Sequence, residues 1–182
     1  MKRVLIPLAQ GCEELEAVTL IDLMRRAGIE VITAGLDAQP VTASRGVRLI
    51  PDVLLDDVLE QEFDMLVLPG GLPGADHLDD DRRIHALLKK TAQSGRYTAA
   101  ICAAPKVLAH AGLLDGRRAT SYPGVIDAMA LPTTTLSEDA VVTDGRVVTS
   151  RGPGTAMEFA LTLIAHLLGE EKRREVEQPL IR

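Results

Sequence analysis

Cys102 has the sequence context of a reactive cysteine. It follows the apolar, strand-like run Tyr97–Ile101 and precedes a helical stretch, with small residues on both sides in the segment AAICAAP. A tight turn from strand to helix exposes a side chain at the edge of a sheet, as in a nucleophile elbow. The N-terminus of the following helix favours the thiolate form of a cysteine. The alternative is an inert buried cysteine, the usual state of a free cysteine, and position alone leaves both interpretations open.

Glu16 is a carboxylate in an apolar setting. One face of the predicted first helix carries, at helical spacing, Glu16, Leu20, Leu23 and Ala27. A carboxyl group on an inward face is costly unless it is protonated or hydrogen-bonded, so we expect a raised pKa for Glu16. A protonated Glu16 that donates a hydrogen bond to Cys102 would form a coupled pair with it. The pKa of the thiol should then lie below its usual value of about 8.5.

Glycine-containing segments follow two further strand-like runs. Gly70 and Gly71 end the run Asp64–Leu68, and glycines let backbone N–H groups approach a ligand closely enough to form an oxyanion hole. The alternative is a turn that simply ends the strand. Gly152 and Pro153 lie in a similar position, after the run that ends at Thr149.

The elements that must position these residues alternate between strands and helices. The predicted strands are Arg3–Leu8, Glu30–Ala34, Asp64–Leu68, Tyr97–Ile101 and short ones near Ala119–Ser121, Ala140–Thr143 and Val147–Thr149, with a small hairpin or an edge strand pair over Val41–Asp52. The predicted helices are Glu13–Ala27, about Asp81–Ser94, Ala103–Leu114, Thr155–Leu168 and a charged C-terminal helix. This alternation predicts an α/β fold with a mainly parallel sheet and helices on both faces. Ligands in such folds bind beyond the carboxyl ends of the strands.

Composition agrees with this fold and limits the function. Hydrophobic residues make up 46% of the chain and aromatic residues only 2%, so the core must consist of Val, Leu, Ile and Ala, as in a covered parallel sheet. The 26 acidic residues against 20 basic ones give a net charge of -6, which argues against nucleic-acid binding. No repeat or linker divides the chain, which predicts one domain over residues 1–182.

The sequence predicts a cytoplasmic protein without a membrane partner. No apolar run is long enough to span a membrane, and the apolar N-terminal run lacks a convincing signal-peptide cleavage site. Two cysteines in a chain of this size do not make a secreted disulfide framework. Cys12 could act as a resolving thiol, but a small residue at a turn is the simpler interpretation, and we expect no disulfide with Cys102.

We expect neither a metal nor another cofactor. The four histidines are scattered, and no HExxH motif or Cys/His pair at metal spacing is present. The run GGLPGA from Gly70 to Ala75 is not the dinucleotide-binding GxGxxG, and there is no P-loop.

Several motifs, taken together and in this order, carry a family resemblance. They are GCEELE from Gly11 to Glu16, DLMRRAGI from Asp22 to Ile29, SRGV from Ser44 to Val47, VLPGG from Val67 to Gly71, AAICAAP from Ala99 to Pro105 and TSRGPGT from Thr149 to Thr155. On these motifs the chain resembles, nearly end to end, the ThiJ/PfpI superfamily in the branch of the Parkinsonism-associated deglycase (DJ-one-like).

The resemblance implies a flavodoxin-like three-layer sandwich and a homodimer, which the low-charge segment Val47–Pro51 also favours. It implies an oxidisable Cys102 hydrogen-bonded to a protonated Glu16, glyoxalase or deglycase-type chemistry on methylglyoxal and its adducts, and a stress response that protects against oxidative stress. It further implies that Gly71 helps to hold anions or oxidised sulfur, and that Arg45 lies near the dimer interface and the site.

One departure from the resembled branch concerns the base. Where that branch carries a histidine near the cysteine, this chain has Tyr122. A tyrosine donates a hydrogen bond, but its usual pKa of about 10 makes it a poor base at neutral pH. Protease-like relatives place a histidine directly after the cysteine, whereas this chain has Ala103, which argues against peptidase activity. Glu16 must therefore carry most of the acid–base chemistry.

The sequence thus predicts a cofactor-independent cysteine enzyme acting on a small aldehyde or a glycated protein. Cys102 would add to the aldehyde as a hemithioacetal, Glu16 would shuttle protons, and N–H groups near Gly71 and Ala103 would hold the oxyanion. The alternative is a redox sensor or chaperone whose Cys102 oxidises to a sulfinate, with incidental turnover.

Overall fold

The structure, a computed structural model, describes residues 1–181. The strands in this range are β1 Arg3–Leu8, β2 Glu30–Gly35, β3 Val41–Thr42, β4 Arg48–Leu49, β5 Val53–Leu54, β6 Met65–Leu68, β7 Tyr97–Ile101, β8 Arg118–Ala119, β9 Thr135–Leu136, β10 Val141–Asp144 and β11 Val147–Ser150. The α-helices are α1 Glu14–Arg26, α2 Gly74–Asp80, α3 Arg82–Gln93, α4 Pro105–His110, α5 Ala156–Leu168 and α6 Glu170–Glu177. Within these residues, no helix combines the length and the apolar character that crossing a membrane requires.

The main sheet has seven strands, in the spatial order β10-β11-β7-β6-β1-β2-β5. Neighbouring strands are parallel except β10, which runs antiparallel to β11 after a tight turn at Gly145. Two small pairs lie outside this sheet: β3 with β4, which is the predicted hairpin, and β8 with β9. The mainly parallel sheet predicted from the sequence is confirmed.

Helices cover both faces of the sheet. Val4 and Ile6 of β1 belong to a hydrophobic cluster with α1, α5 and α6, whereas Leu5 of the same strand belongs to a second cluster with α2, α3 and α4. Successive side chains of a strand point to opposite faces, so these central strands contribute to both layers. The result is the α/β three-layer sandwich that the sequence predicted.

Two helices differ from the predictions. The helix expected over Ala103–Leu114 is only the short α4, because its end at His110 is followed by Gly112 in a left-handed conformation with φ 75°. Helix α2, directly after the glycine turn, was not expected. The helix begins at Gly74, directly after Pro73, and only its residues Ala75 and Leu78 belong to the hydrophobic core.

The strand order brings the predicted site residues to one edge. Strand β7 lies between β6 and β11, with Leu68 paired to Ala100 and Ser150 paired to Ile101. Because parallel strands end at the same side of a sheet, the segments after all three strands are neighbours there. Strand β1, on the other side of β6, delivers the start of α1 to the same edge.

Candidate active site

Cys102 lies on a strained turn. It has φ 64°, and among residues 1–181 the only other non-glycine residue with a positive φ is Ile181. Such a conformation costs an L-residue about 1–2 kcal/mol, and it persists where the surroundings fix it. Here the Cys102 N–H donates to the Ser150 carbonyl at 3.0 Å, and its carbonyl accepts from the Tyr122 N–H at 2.9 Å. The predicted sharp strand-to-helix turn is therefore present, held from both sides.

Glu16 is fully buried beside this turn. It begins the apolar stripe of α1, whose other members Leu20, Leu23 and Ala27 are also buried, as the helical spacing predicted. Its Oε2 accepts a hydrogen bond from the Gly70 N–H at 2.8 Å, whereas Oε1 has no partner of normal geometry among the described residues.

Gly70 lies between the side chains of Cys102 and Glu16 and touches both. A Cβ atom at this position would lie 2.6 Å from Cys102 Cβ and 2.8 Å from Glu16 Oε2, so only glycine fits. Because the Gly70 N–H already donates to Glu16, this residue orients the carboxyl group. The sequence predicted that Gly70 binds an oxyanion or the substrate. In the structure, however, its N–H already donates to Glu16.

Burial raises the pKa of both groups. Desolvation raises the pKa of Glu16 to about 7, against hydrogen bonds from the Gly70 N–H and the Cys102 thiol. Desolvation and then the charge of Glu16 raise the pKa of Cys102 to about 12. The raised pKa expected for Glu16 is confirmed. The lowered pKa expected for the thiol is wrong, because the helix-end N–H groups do not outweigh burial and a nearby carboxylate.

Two backbone N–H groups face the sulfur. Those of Gly71 and Ala103 hydrogen-bond to the Cys102 thiolate and lower its pKa, although less than burial raises it. Gly71 has φ 87°, and a Cβ there would lie 2.3 Å from the Glu13 nitrogen. The glycine turn thus packs tightly on the start of α1 and presents its N–H at the sulfur. This arrangement can stabilise negative charge on sulfur or on an adjacent oxygen.

Tyr122 and Gly152 lie against each other next to the Cys102 turn. Tyr122 is half exposed, and a Cβ at Gly152 would lie 3.2 Å from its ring, so the ring packs over this glycine. Pro153 follows in a short 3-10 turn. A cavity of about 290 Å³ opens here, and its lining includes Tyr122, Thr120 and Arg151.

Arg45 does not contact the reactive pair. Its N–H donates to Glu14 Oε1 at 2.8 Å, and within residues 1–181 its guanidinium group donates only to the neighbouring Ser44 carbonyl. Glu14 also accepts from the Ser44 hydroxyl. Burial raises the pKa of Glu14, but these hydrogen bonds and its own N–H hold it below its usual value. Glu14 therefore fastens the β3–β4 hairpin to α1.

Cys12 is a second free cysteine, and it is buried. Desolvation, together with the charge of Glu14, raises its pKa to about 12, as at Cys102, but Cys12 is 1% exposed, so a substrate cannot reach its sulfur. No disulfide joins it to Cys102, as expected. Within residues 1–181 no group of three or more His, Cys, Asp and Glu side chains could hold a metal ion.

The Cys102 thiol lies on a strained strand-to-helix turn, beside a buried carboxyl group. This geometry is typical of an α/β protein whose function depends on a cysteine with an acid–base group next to it. Comparison with models of known families identifies the family of this chain. The model of the DJ-1/PfpI family matches residues 2–166, and the chain belongs to this family. The family resemblance inferred from the sequence motifs is confirmed.

Individual relatives agree with this membership. The chain is 46% identical over 182 residues to Protein DJ-1 homolog A of Arabidopsis thaliana, but it spans only 46% of that protein, about half its length. It is 40% identical over 177 residues to a Caenorhabditis elegans protein named glutathione-independent glyoxalase DJR-1.2, covering 97% of this chain and 94% of that one. The crystal structure of Drosophila melanogaster DJ-1beta superposes with a TM-score of 0.95 at 43% identity, covering 99% and 97% of the two chains.

Proposed function

We propose that this protein is a cofactor-independent glyoxalase or deglycase-type enzyme that converts an α-oxoaldehyde such as methylglyoxal, or its adducts, into a hydroxy acid. The observation that carries the proposal is the pair formed by Cys102 and a buried Glu16 whose pKa is about 7. A base is most effective when its pKa lies near the working pH. The name of the C. elegans relative supports the reaction class.

The first step is addition of sulfur to the aldehyde. The Cys102 thiol is protonated at neutral pH, so its proton passes to the Glu16 carboxylate as the C–S bond forms. The aldehyde oxygen gains negative charge next to the N–H groups of Gly71 and Ala103, and protonation there gives a hemithioacetal.

The second step moves one proton within the adduct. Glu16 removes the proton from the carbon bonded to sulfur, which gives an enediol, and a proton added to the neighbouring carbon then gives a thioester. Water cleaves the C–S bond, releasing the hydroxy acid and restoring the thiol. The aldehyde carbon is oxidised and the neighbouring carbonyl carbon is reduced, so the reaction needs no external oxidant or reductant.

The test is glutathione-free turnover of methylglyoxal to lactate, followed by NMR. Wild type should turn over, and Cys102→Ala should not, because the thiol forms the covalent intermediate. Cys12→Ala is the matched control, since Cys12 is a buried thiol that the mechanism does not use. Circular dichroism checks that each variant is folded. Equal lactate formation by wild type and Cys102→Ala would remove the basis of the proposal.

A redox sensor or chaperone is the second candidate function. The half-buried Cys102 and the N–H groups of Gly71 and Ala103 could equally hold a sulfinate. Peroxide treatment followed by intact-mass analysis of wild type and Cys102→Ala identifies this oxidation. Sulfinate formation at Cys102 in a protein that turns over no aldehyde would favour the sensor.

The domain organisation, location and partners proposed for this enzyme follow from the sequence analysis. We propose a single-domain, cytoplasmic homodimer that acts on small aldehydes or on glycated proteins and contributes to oxidative-stress protection. We propose no nucleic-acid partner, since the net charge is -6.

A further inference from the structure

Two short helices follow the segments that surround the reactive sulfur. Helix α2 begins at Gly74 and follows the glycine turn, whose Gly71 N–H faces the sulfur. Helix α4 begins at Pro105 and follows the turn that contains Cys102 and Ala103. The spacing between the N–H groups of Gly71 and Ala103 therefore depends on how α2 and α4 lie against each other.

Backbone hydrogen bonds connect each helix to its donor. The Ala75 N–H of α2 donates to the Gly71 carbonyl oxygen at 2.8 Å, so the residue that offers its N–H to the sulfur also accepts a hydrogen bond from the helix. The N–H of Ala104, the residue before α4, donates to the Ile101 carbonyl oxygen at 3.0 Å across the Cys102 turn. A displacement of one helix relative to the other would therefore change the spacing of the two donors.

Two interhelical pairs, which we call the α2–α4 clamp, hold these helices together. Lys106 of α4 forms an ion pair with Asp76 of α2. One helical turn further along, His110 Nδ1 donates a hydrogen bond to Asp79 Oδ2 at 2.7 Å. Residues three or four apart lie on the same face of a helix. The two acids of α2 therefore face the two nitrogen donors of α4 as successive contacts.

Asp79 is the more buried acid of the α2–α4 clamp. Its side chain is 15% exposed, against 48% for Asp76. His85 Nε2 of α3 lies 2.8 Å from the Asp79 carbonyl oxygen and 3.2 Å from its Oδ1. Both of these atoms are acceptors, so His85 donates from Nε2. Asp79 thus receives hydrogen bonds from α3 and α4 and connects α2 to both helices.

Helix α2 depends on these polar contacts because it has few others. It contains seven residues, and within residues 1–181 no side-chain hydrogen bond caps its N-terminus. Only Ala75 and Leu78 belong to the hydrophobic core, although packing of an apolar face supplies most of the stability of a helix in a protein. Exposed ion pairs change the overall stability of a protein little. We therefore expect the clamp to matter for the position of α2 more than for the stability of the whole chain.

We propose that the α2–α4 clamp positions the N–H groups of Gly71 and Ala103 around the sulfur of Cys102, so that its four residues are positioning residues for the reaction. The inference rests on the proposed function, in which these N–H groups stabilise the oxyanion. Donors stabilise developing charge when they are held in place in advance, and a displacement of about 1 Å can cost about 100-fold in rate. Loss of the clamp should slow the reaction although every reacting group remains.

The first experiment measures kcat and KM for methylglyoxal in wild type, Lys106→Met and Lys106→Arg. In Lys106→Met we expect kcat to fall at least about tenfold while KM stays within about twofold, because the donors act on charge that develops in the transition state. Lys106→Arg retains the ion pair and should keep most of the wild-type kcat. The melting temperature of both variants should change by less than about 4 °C. A merely structural role predicts a lower melting temperature with an unchanged kcat.

Lys2→Met is the matched control. Lys2 pairs with Asp64 at 2.9 Å, and both side chains are partly exposed, as in the pair of Lys106 with Asp76. Lys2 and Asp64 directly precede β1 and β6, at the opposite end of the sheet from Cys102. Lys2→Met therefore removes an ion pair of the same kind and should leave kcat unchanged.

Combined variants separate the two pairs of the clamp. Asp76→Asn added to Lys106→Met should lower kcat no further, because both substitutions remove the same interaction. Asp79→Asn added to Lys106→Met should lower kcat further, because it removes the second pair. Additive losses for Asp76→Asn and Lys106→Met would show that the ion pair between them is not the cause.

Alkylation of Cys102 tests the positioning without aldehyde turnover. Iodoacetamide modification is followed by intact mass at pH 8 in a Cys12→Ala background, in which Cys102 is the only cysteine. The N–H groups of Gly71 and Ala103 lower the pKa of the Cys102 thiol, so their displacement reduces the thiolate fraction. We expect alkylation at least about threefold slower in Lys106→Met, and unchanged in Lys2→Met.

The two readouts distinguish failure of this inference from failure of the proposed function. A wild-type kcat in Lys106→Met, or an equal loss in Lys2→Met, would overturn the positioning role. A wild type that turns over no aldehyde would contradict the proposed function, and the alkylation rates then decide alone. Slower alkylation in Lys106→Met than in Lys2→Met would support the positioning role, and equal rates would overturn it.

Discussion

At the scale of single residues, the chemistry depends on one proton shared by Glu16 and Cys102. Both pKa values are raised, to about 7 and about 12, because neither negative charge is well solvated. Near neutral pH the proton therefore resides on sulfur, and the carboxylate is the base that removes it during attack. The sequence predicted which two residues form the pair but placed the proton wrongly, since the extent of burial at Cys102 depends on surrounding segments.

The raised pKa of Glu16 predicts how stability changes with pH. A folded-state pKa above the unfolded value means that the folded protein binds the proton more tightly. Glu16 therefore stabilises the folded state fully below about pH 4.5, and this stabilisation is lost as pH rises through about 7. Glu16→Gln should remove this dependence, so its free energy of unfolding relative to wild type should improve by up to about 3 kcal/mol between pH 4 and 8. Urea unfolding at both pH values measures this change.

Glu14→Gln is the matched control, because Glu14 is a buried carboxylate of the same helix turn with a lowered pKa. Its contribution has the opposite sign: it is present above the usual carboxyl pKa and is lost on acidification. The Glu14 variant should therefore lose stability at neutral pH relative to acid. Parallel pH profiles for wild type and Glu16→Gln would contradict the assigned pKa of Glu16.

At the scale of elements, the glycine turn between β6 and α2 positions the site. Gly71→Ala would place a Cβ 2.3 Å from the Glu13 nitrogen in addition to forcing alanine to φ 87°. Backbone atoms cannot yield as a side chain can, so we expect lost aldehyde turnover and a stability loss of more than about 3 kcal/mol. Urea unfolding and the lactate assay measure both effects.

Gly95→Ala measures the cost of alanine in a left-handed backbone conformation without a steric clash. Gly95 has φ 67° but no atom within 4 Å of its ideal Cβ. This variant should lose only about 1 kcal/mol and keep its activity. Equal losses in the two variants would show that close packing of the turn on α1 is unimportant.

The elements that the sequence predicted well are those with strong periodicity. Strand β7 and the inward stripe of α1 follow directly from apolar runs and helical spacing, and with them the positions of Cys102 and Glu16. Helix α2 escaped prediction because its core contacts depend on tertiary packing, with Leu78 its one large buried side chain. The hydrogen bond from the Gly70 N–H to Glu16 spans 54 positions and has no local signal.

At the scale of the whole molecule, exposed apolar side chains indicate a partner surface. Leu15 and Val18 of α1 are exposed, as are Val47 and Ile50 of the hairpin region. Glu14 holds these two elements together through the Val47 N–H at 3.4 Å. Apolar side chains that gather on adjacent elements mark association surfaces, which supports the proposed homodimer.

Val47→Asp should therefore shift the protein from dimer to monomer, because a charge would be buried in the interface. Leu168→Asp is the control, since Leu168 is an exposed apolar residue at the end of α5. Sedimentation velocity at micromolar concentration distinguishes the two states. A wild type that is monomeric, or a Val47→Asp variant that stays dimeric, would contradict this interface.

The central claim is that Cys102 attacks an aldehyde with Glu16 as its base. Its most direct test is the pH dependence of kcat/KM for methylglyoxal in wild type, Glu16→Gln and the Glu14→Gln control. In wild type and the control, kcat/KM should rise with pH through an apparent pKa of about 7, as Glu16 loses its proton. Glu16→Gln should lack this rise and lose at least about 100-fold in rate. A Glu16→Gln variant with the wild-type rate and the same rising limb would contradict the account.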